Sequence, residues 1–166
     1  DMMRHGTENE VLIERMQRWV KTLLMTSNAR DLPHTIADHI QHDFMVPQVA
    51  IKVWGVGETF QIEPFAQGAT EAIKEFAATL ATPYVGLNQH FEAVQWLAEP
   101  DAAQSVAIIA LRETRPEDTP QTAAVQPVIG LLVLASPDPQ RYYEGMGTTI
   151  IERMGDLASA ALSHLR

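Results

Sequence analysis

The chain has 166 residues, no cysteine and a formal net charge of −9 at pH 7, with 46% hydrophobic and 20% charged residues. That balance is ordinary for a single globular domain with room for a sizeable core. The missing cysteines exclude disulfides, thiolate nucleophiles and cysteine-ligated metals, and the acidic balance disfavours a surface built for phosphate backbones.

The first residues, Asp1-Met2-Met3-Arg4-His5-Gly6, lack the apolar stretch of a signal peptide. The longest apolar run, Val128–Ala135, is far below the ~18 residues that span a bilayer. A cytoplasmic location with neither membrane nor direct nucleic-acid contact is the expectation. A start at Asp rather than Met is consistent with an excerpt of a longer product.

Thr7-Glu8-Asn9-Glu10 reads as a capping box. Behind it Leu12, Met16, Trp19 and Leu23 recur at helical spacing, widened by Ile13, Val20 and Leu24. This predicts an amphipathic helix over roughly 8–26. Its broad apolar face suits two uses, docking on its own domain or pairing with a second copy. Pro33 then opens a second helix carrying Leu32, Ile36, Ile40 and Phe44. His39 and His42 sit on its polar side, but the spacing is not that of a His-Glu-x-x-His site, and a solvated face is the simpler reading.

Alternation of Val49, Ile51 and Val53 with Ala50, Lys52 and Trp54 predicts a strand. Gly55–Glu58 would turn it, with Thr59-Phe60-Gln61-Ile62 beginning a returning strand. The Gly-x-Gly at 55–57 is no dinucleotide fingerprint, since Phe60 stands where a third glycine belongs. A helix with Ile73, Phe76, Ala77 and Leu80 on one face follows, then a short extended piece, Tyr84–Leu87, and one or two helical turns around Phe91, Val94 and Leu97. Ser105–Leu111 and Val128–Ala135 are nearly continuous apolar runs, expected to be central strands paired antiparallel. The segment 112–127 between them, rich in Pro, Thr and acidic residues, reads as a long exposed loop. Thr149 and Glu152 predict a capping box for a last helix whose apolar face runs from Ile150 to Leu165.

Reaction chemistry is missing. None of Ser27, Ser105, Ser136, Ser159 and Ser163 lies in a Gly-x-Ser-x-Gly setting, and no Walker loop is present. No catalytic residue and no metal ligand is assigned, and the sequence leaves any cofactor unknown. Asp138 and Arg141, flanking a turn, are expected to bond local backbone or each other. The Gly145-Met146-Gly147-Thr148 turn has no lysine and adjoins Glu144, so helix capping accounts for it better than phosphate binding.

This order of elements resembles the GAF-type sensory fold. Gly130-Leu131-Leu132-Val133-Leu134-Ala135-Ser136-Pro137-Asp138, Arg141-Tyr142 and Gly145-Met146-Gly147-Thr148 resemble the signature of the DUF484 family. Leu32-Pro33, Pro83–Leu87 and Ser105-Val106-Ala107 also fit its pattern. Ala135 replaces the usual glycine before the serine, and Val85 stands where a cysteine is common.

The resemblance implies a bacterial α+β protein of uncharacterised function. Its GAF-like antiparallel sheet would carry helices packed on one face, preceded by an N-terminal amphipathic helix. The expected division is an N-terminal helical segment over 1–30 and a GAF-like domain over 31–166. GAF-like domains imply a non-enzymatic sensory or regulatory role with a small-molecule ligand between the sheet and its covering loops. Candidate lining residues are Trp54, Phe60, Phe65, Tyr84, Gly86, Leu87 and Arg112, chosen for the aromatics near the first strands and the adjacent loop. The alternative is an interaction module, a homodimer through the N- and C-terminal helices with no ligand.

Overall fold

Two strands that are apolar on both faces need a cover on each side, and the computed structural model shows both covers. It describes residues 2–166, with side chains from Glu10 onward. Four strands, β1 (Gln48–Val53), β2 (Tyr84–Leu87), β3 (Ser105–Arg112) and β4 (Val128–Ser136), form one antiparallel sheet in the order β1-β4-β3-β2. Among the described residues five helices accompany it: α1 (Met2–Met25), α2 (Leu32–Asp43), α3 (Glu71–Ala78), the single turn α4 (Pro120–Ala123) and α5 (Thr149–Leu162). Among the described residues no helix is long and apolar enough to cross a membrane.

The alternation of side chains along β3 and β4 creates two cores. Ala107, Ile109 and Leu111 point with Leu132 and Leu134 into a layer made by α1, α2 and α5, where Trp19, Ile36, Ile40, Met154 and Leu162 meet them. Val106 and Ile108 point the other way with Leu131, Val133 and Ala135, under Ile73 and Ala77 of α3 and under Val94 and Leu97. The register matches, with Ile109 opposite Leu132 and Ile108 opposite Val133. Gly130 allows β1 and β4 to close up, because a Cβ there would lie 2.6 Å from the Lys52 carbonyl oxygen.

The long helices, α1, α2 and α5, share one face of the sheet, as expected, and α3 with short 3-10 turns closes the other. The central strands, α3 and α5 form where the apolar periodicity places them. Three local expectations are corrected. Residues 59–62 form no strand; Glu58–Phe60 and Pro64–Ala66 are 3-10 turns. Pro64 carries no amide proton for a ladder, and Phe60 and Phe65 pack instead against the helical-face core. The edge of β1 is held by Lys52, whose Nζ donates to the Pro64 carbonyl at 2.9 Å. The start of α5 also moves by one residue: Thr148 is the cap position and its hydroxyl donates to Glu152 Oε2 at 2.8 Å, so Thr149 caps nothing. Finally, α1 begins at Met2, ahead of the capping box expected at Thr7; the side chains of Thr7, Glu8 and Asn9 lie outside the described residues.

The second half of α1 docks on its own domain. Trp19 is fully buried, its indole N–H donating to the Ile36 carbonyl at 3.3 Å and its ring meeting Phe44 edge-on at 6.5 Å. An indole that is both buried and hydrogen-bonded is hard to replace. Trp19→Ala is expected to cost about 3–5 kcal/mol, read as a shift in the urea midpoint; a shift smaller than about 1 kcal/mol would show that α1 is not part of the cooperative unit.

On α5, partial burial and the neighbouring Glu152 carboxylate push the Asp156 carboxyl above its ordinary value of 3.8. The folded state therefore holds this proton more tightly than the unfolded state, and stability falls as pH rises through the raised value. Asp156→Asn should be more stable than the native chain at neutral pH, with the difference vanishing below pH 3.8. Urea midpoints measured across that range check this, and a difference that does not change with pH would refute it.

Candidate functional site

The loop after β4 is built by two buried serines. Ser136 Oγ accepts the Asp138 amide at 3.1 Å, and Ser105 Oγ donates to the Asp138 carbonyl at 2.7 Å while accepting the Tyr142 amide at 3.3 Å. Asp138 Oδ1 accepts the Gln140 amide at 2.8 Å, so the expected local backbone bond is present. Arg141 does not meet Asp138. Its guanidinium reaches the end of α2, donating to the Phe44 and Met45 carbonyls at 3.1 and 3.2 Å. Its Cζ also lies 5.6 Å from the centre of the Tyr142 ring. Burial raises the Tyr142 phenol above its ordinary value, with Arg141 opposing the shift.

This braced loop stands beside the sheet edge at β2. Between them runs a groove of about 670 Å³, lined by Pro83–Leu87 and Gln89 on one wall and by Pro139, Gln140 and Tyr142–Gly145 on the other. Leu87 is 58% exposed and Tyr143 is 53% exposed. Glu144 forms no ion pair among the described residues. Partial burial of Tyr84 raises its phenol above the ordinary value, and the Glu144 charge adds to the shift. Gly86 has φ +155, and a Cβ there would lie 2.9 Å from the Tyr84 hydroxyl.

A second groove, of about 580 Å³, lies between the end of α1 and α5. Val20, Leu23 and Leu24 face Leu157, Ala161 and His164 across it.

The seven residues expected around a ligand do not form one site. Tyr84, Gly86 and Leu87 share the first groove. Trp54 lies over the α3-side core, its Nε1 donating to the Val128 carbonyl at 3.0 Å and the Lys74 ammonium standing 5.9 Å from its ring centre. Phe60 and Phe65 are on the opposite face, with Arg30 near Phe60 and ion-paired to Glu63 at 2.6 Å. Arg112 is engaged with backbone: Nη1 donates to the Gln126 carbonyl at 2.7 Å and Nη2 to the Leu80 carbonyl at 3.1 Å. On the sheet face where covering loops were expected to enclose a ligand, α3 and its neighbouring turns lie instead, with Ile73, Ala77, Val94 and Leu97 packed onto the strands. The groove residues that sequence reasoning left out, Pro139, Gln140 and Tyr142–Gly145, carried one signal, two adjacent tyrosines beside an acid in a turn.

His39 and His42 have ring centres 6.5 Å apart, and His42 Nδ1 turns to Asp43 Oδ1 at 3.1 Å. Among the described residues no cluster of three or more acidic or histidine side chains is placed to hold a metal. The buried hydroxyls serve backbone groups: besides Ser105 and Ser136, Ser159 donates to the Gly155 carbonyl at 2.7 Å and accepts the Arg112 amide at 3.1 Å.

A four-stranded antiparallel sheet of this order, with helices on one face and a short helix with turns on the other, is a GAF-like fold. The GAF domain from Acinetobacter phosphoenolpyruvate-protein phosphotransferase is similar in structure, with TM-score 0.59 at 13% identity over 92% of each chain. A far-red cyanobacteriochrome photoreceptor gives TM-score 0.52 at 11% identity, covering 97% of this chain and 98% of that one. The chain belongs to the DUF484 family, a family of proteins of unknown function, whose model matches residues 1–164. No curated protein sequence matches it.

Arg112 ties the 113–127 loop to the end of α3 through two carbonyls. Arg112→Met keeps the aliphatic stem and removes both bonds. Amide exchange in 113–127 should then accelerate at least tenfold, as expected for losing charged hydrogen bonds worth roughly 1.5–3 kcal/mol each. Unchanged exchange, measured by mass spectrometry, would show that the loop is held by other contacts.

Proposed function

We propose that this chain is a non-enzymatic sensory or regulatory domain that works through protein contact, pairing with a second copy through its N- and C-terminal helices. The observation that carries this reading is the unpartnered stripe on α1. Ile13 is 50% exposed and Leu24 is 81% exposed, with half-buried Val20 between them. These residues fall on one side of the helix at 7-4 spacing. Single exposed apolar residues are common, but a stripe continuous with an apolar groove is the mark of an interface. Here the stripe runs into the groove against Leu157 and Ala161 of α5. A two-fold pairing would lay each copy's stripe on the other's, burying both at once.

The regulatory class is supported by the likeness to a photoreceptor and to a domain of a phosphotransferase. A non-enzymatic role is supported by the serine hydroxyls, which serve the backbone rather than a base. A small molecule between the sheet and the segments that cover its second face has less support, because apolar side chains of α3 and its neighbouring turns fill that layer.

Light scattering after gel filtration tests the proposal. The native chain should elute as a dimer at micromolar concentration, and Ile13→Glu with Leu24→Glu should convert it to a monomer with an unchanged circular dichroism spectrum. A native chain that is monomeric across the micromolar range would end the reading.

A further inference from the structure

β2 is an edge strand, and one side of its backbone is unpaired. Among the described residues its only neighbour in the sheet is β3. The Asn88 amide donates to the Gln104 carbonyl at 3.0 Å, so it faces β3. Inward and outward groups alternate along an antiparallel strand. The amides of Tyr84 and Gly86 therefore face β3 as well, and the backbone groups of Val85 and Leu87 face away. The Leu87 carbonyl confirms the phase, since it accepts the Tyr84 hydroxyl at 2.7 Å from outside the ladder. Val85 N–H, Val85 C=O and Leu87 N–H are left facing outward.

Long, flat edges invite unwanted pairing, and proteins shield them. This edge is short and partly capped by Tyr84, but the groove along it is open. Val85 and Leu87 are opposite Ala107 and Ser105, so their side chains point toward the helical face, where Tyr142, Tyr143 and Glu144 form the far wall. A strand added to β2 would send every second side chain into that groove, onto an aromatic wall that carries one carboxylate.

We propose that this edge and groove bind an extended peptide segment of another protein, apolar at alternate positions and carrying an arginine or lysine that pairs with Glu144. Main-chain bonds to Val85 and Leu87 would supply the attachment, and the groove would supply the selection, as in strand-addition recognition. Charge favours this occupant over a second copy. Pairing two β2 edges would bring two Glu144 carboxylates toward one another, at a cost that a basic peptide reverses. The site is separate from the stripe on α1, so it can fail or succeed independently of self-association.

The test uses the full chain and a fluorescein-labelled peptide of alternating valine and threonine with one central arginine. Fluorescence anisotropy should show saturable binding, and amide exchange of Val85 and Leu87 should slow in the complex. Val85→Pro removes an outward amide that the native sheet does not use, and binding should fall at least tenfold. Glu144→Lys leaves the backbone intact, so it guards against misfolding of the proline variant. It should weaken the arginine peptide at least tenfold and strengthen a peptide with glutamate in its place. The proposal is overturned if the native chain shows no saturable binding, or if Glu144→Lys binds both peptides as the native chain does. Protection of Val85 and Leu87 that grows with protein concentration alone would overturn it in favour of a second copy as the occupant.

Discussion

The structure depends on the pairing of β3 with β4, two strands buried on both faces. Between Ser105 and Ser136 nearly every side chain of these strands is withdrawn from water. An antiparallel sheet often leaves one face wet, but a strand pair that is apolar on both faces cannot. Two covers are therefore required. The long helices supply one, and α3 with its neighbouring turns supplies the other. Covering the second face with Ile73, Ala77, Val94 and Leu97 places apolar side chains where a small-molecule cavity was expected. The same demand that stabilises the sheet thus moves open space out to the edges, beside β2 and between α1 and α5.

The polar ends of these strands are handled with equal economy. Ser105 and Ser136 lie opposite one another at the end of the pair. Each is buried, and a buried hydroxyl without a partner is costly. Both find partners in the loop that follows β4, and that loop is pinned as a result. Arg141 extends the brace by binding two carbonyls at the end of α2, where Met45 adopts φ 55. At the other end of β3, Arg112 performs a similar task for the 113–127 loop. Each of these arginines gives two of its five donors to backbone carbonyls, which fixes its side chain as a brace. A pinned loop facing a free strand edge is what makes the groove at β2 a defined shape.

Much of this was legible in the residues. The apolar runs at 105–111 and 128–135 are too continuous to be anything but buried strands here, and they pair antiparallel as expected. The 3-4 spacing of apolar residues places α2, α3 and α5 with small errors at their ends. The failures have particular causes. Thr59–Ile62 looks like a strand by composition, but Pro64 and the pull of the helical core on Phe60 and Phe65 turn it into two tight turns. The capping pair at Thr149 and Glu152 fails by one residue, because Thr148 reaches the same glutamate. The aromatics Trp54, Phe60 and Phe65 lie close together in the chain, yet Trp54 goes to one face of the sheet and the phenylalanines to the other. Proximity in sequence carries no information about which face a side chain takes after a turn.

The amino-acid sequence by itself determined the family, the α+β class, the two central strands and the absence of a recognisable catalytic motif. Those properties rest on local patterns: apolar periodicity, turn residues and a short signature, each contained within a few dozen residues. Only the tertiary structure decided where open space survives. It filled the layer beneath α3, assigned Arg112 and Arg141 to backbone carbonyls, left Leu24 exposed beside α5, and set Tyr142–Glu144 across a groove from Val85 and Leu87. Each of these outcomes depends on segments distant in sequence meeting at a fixed register. That register is set by the packing of the whole chain on its two central strands.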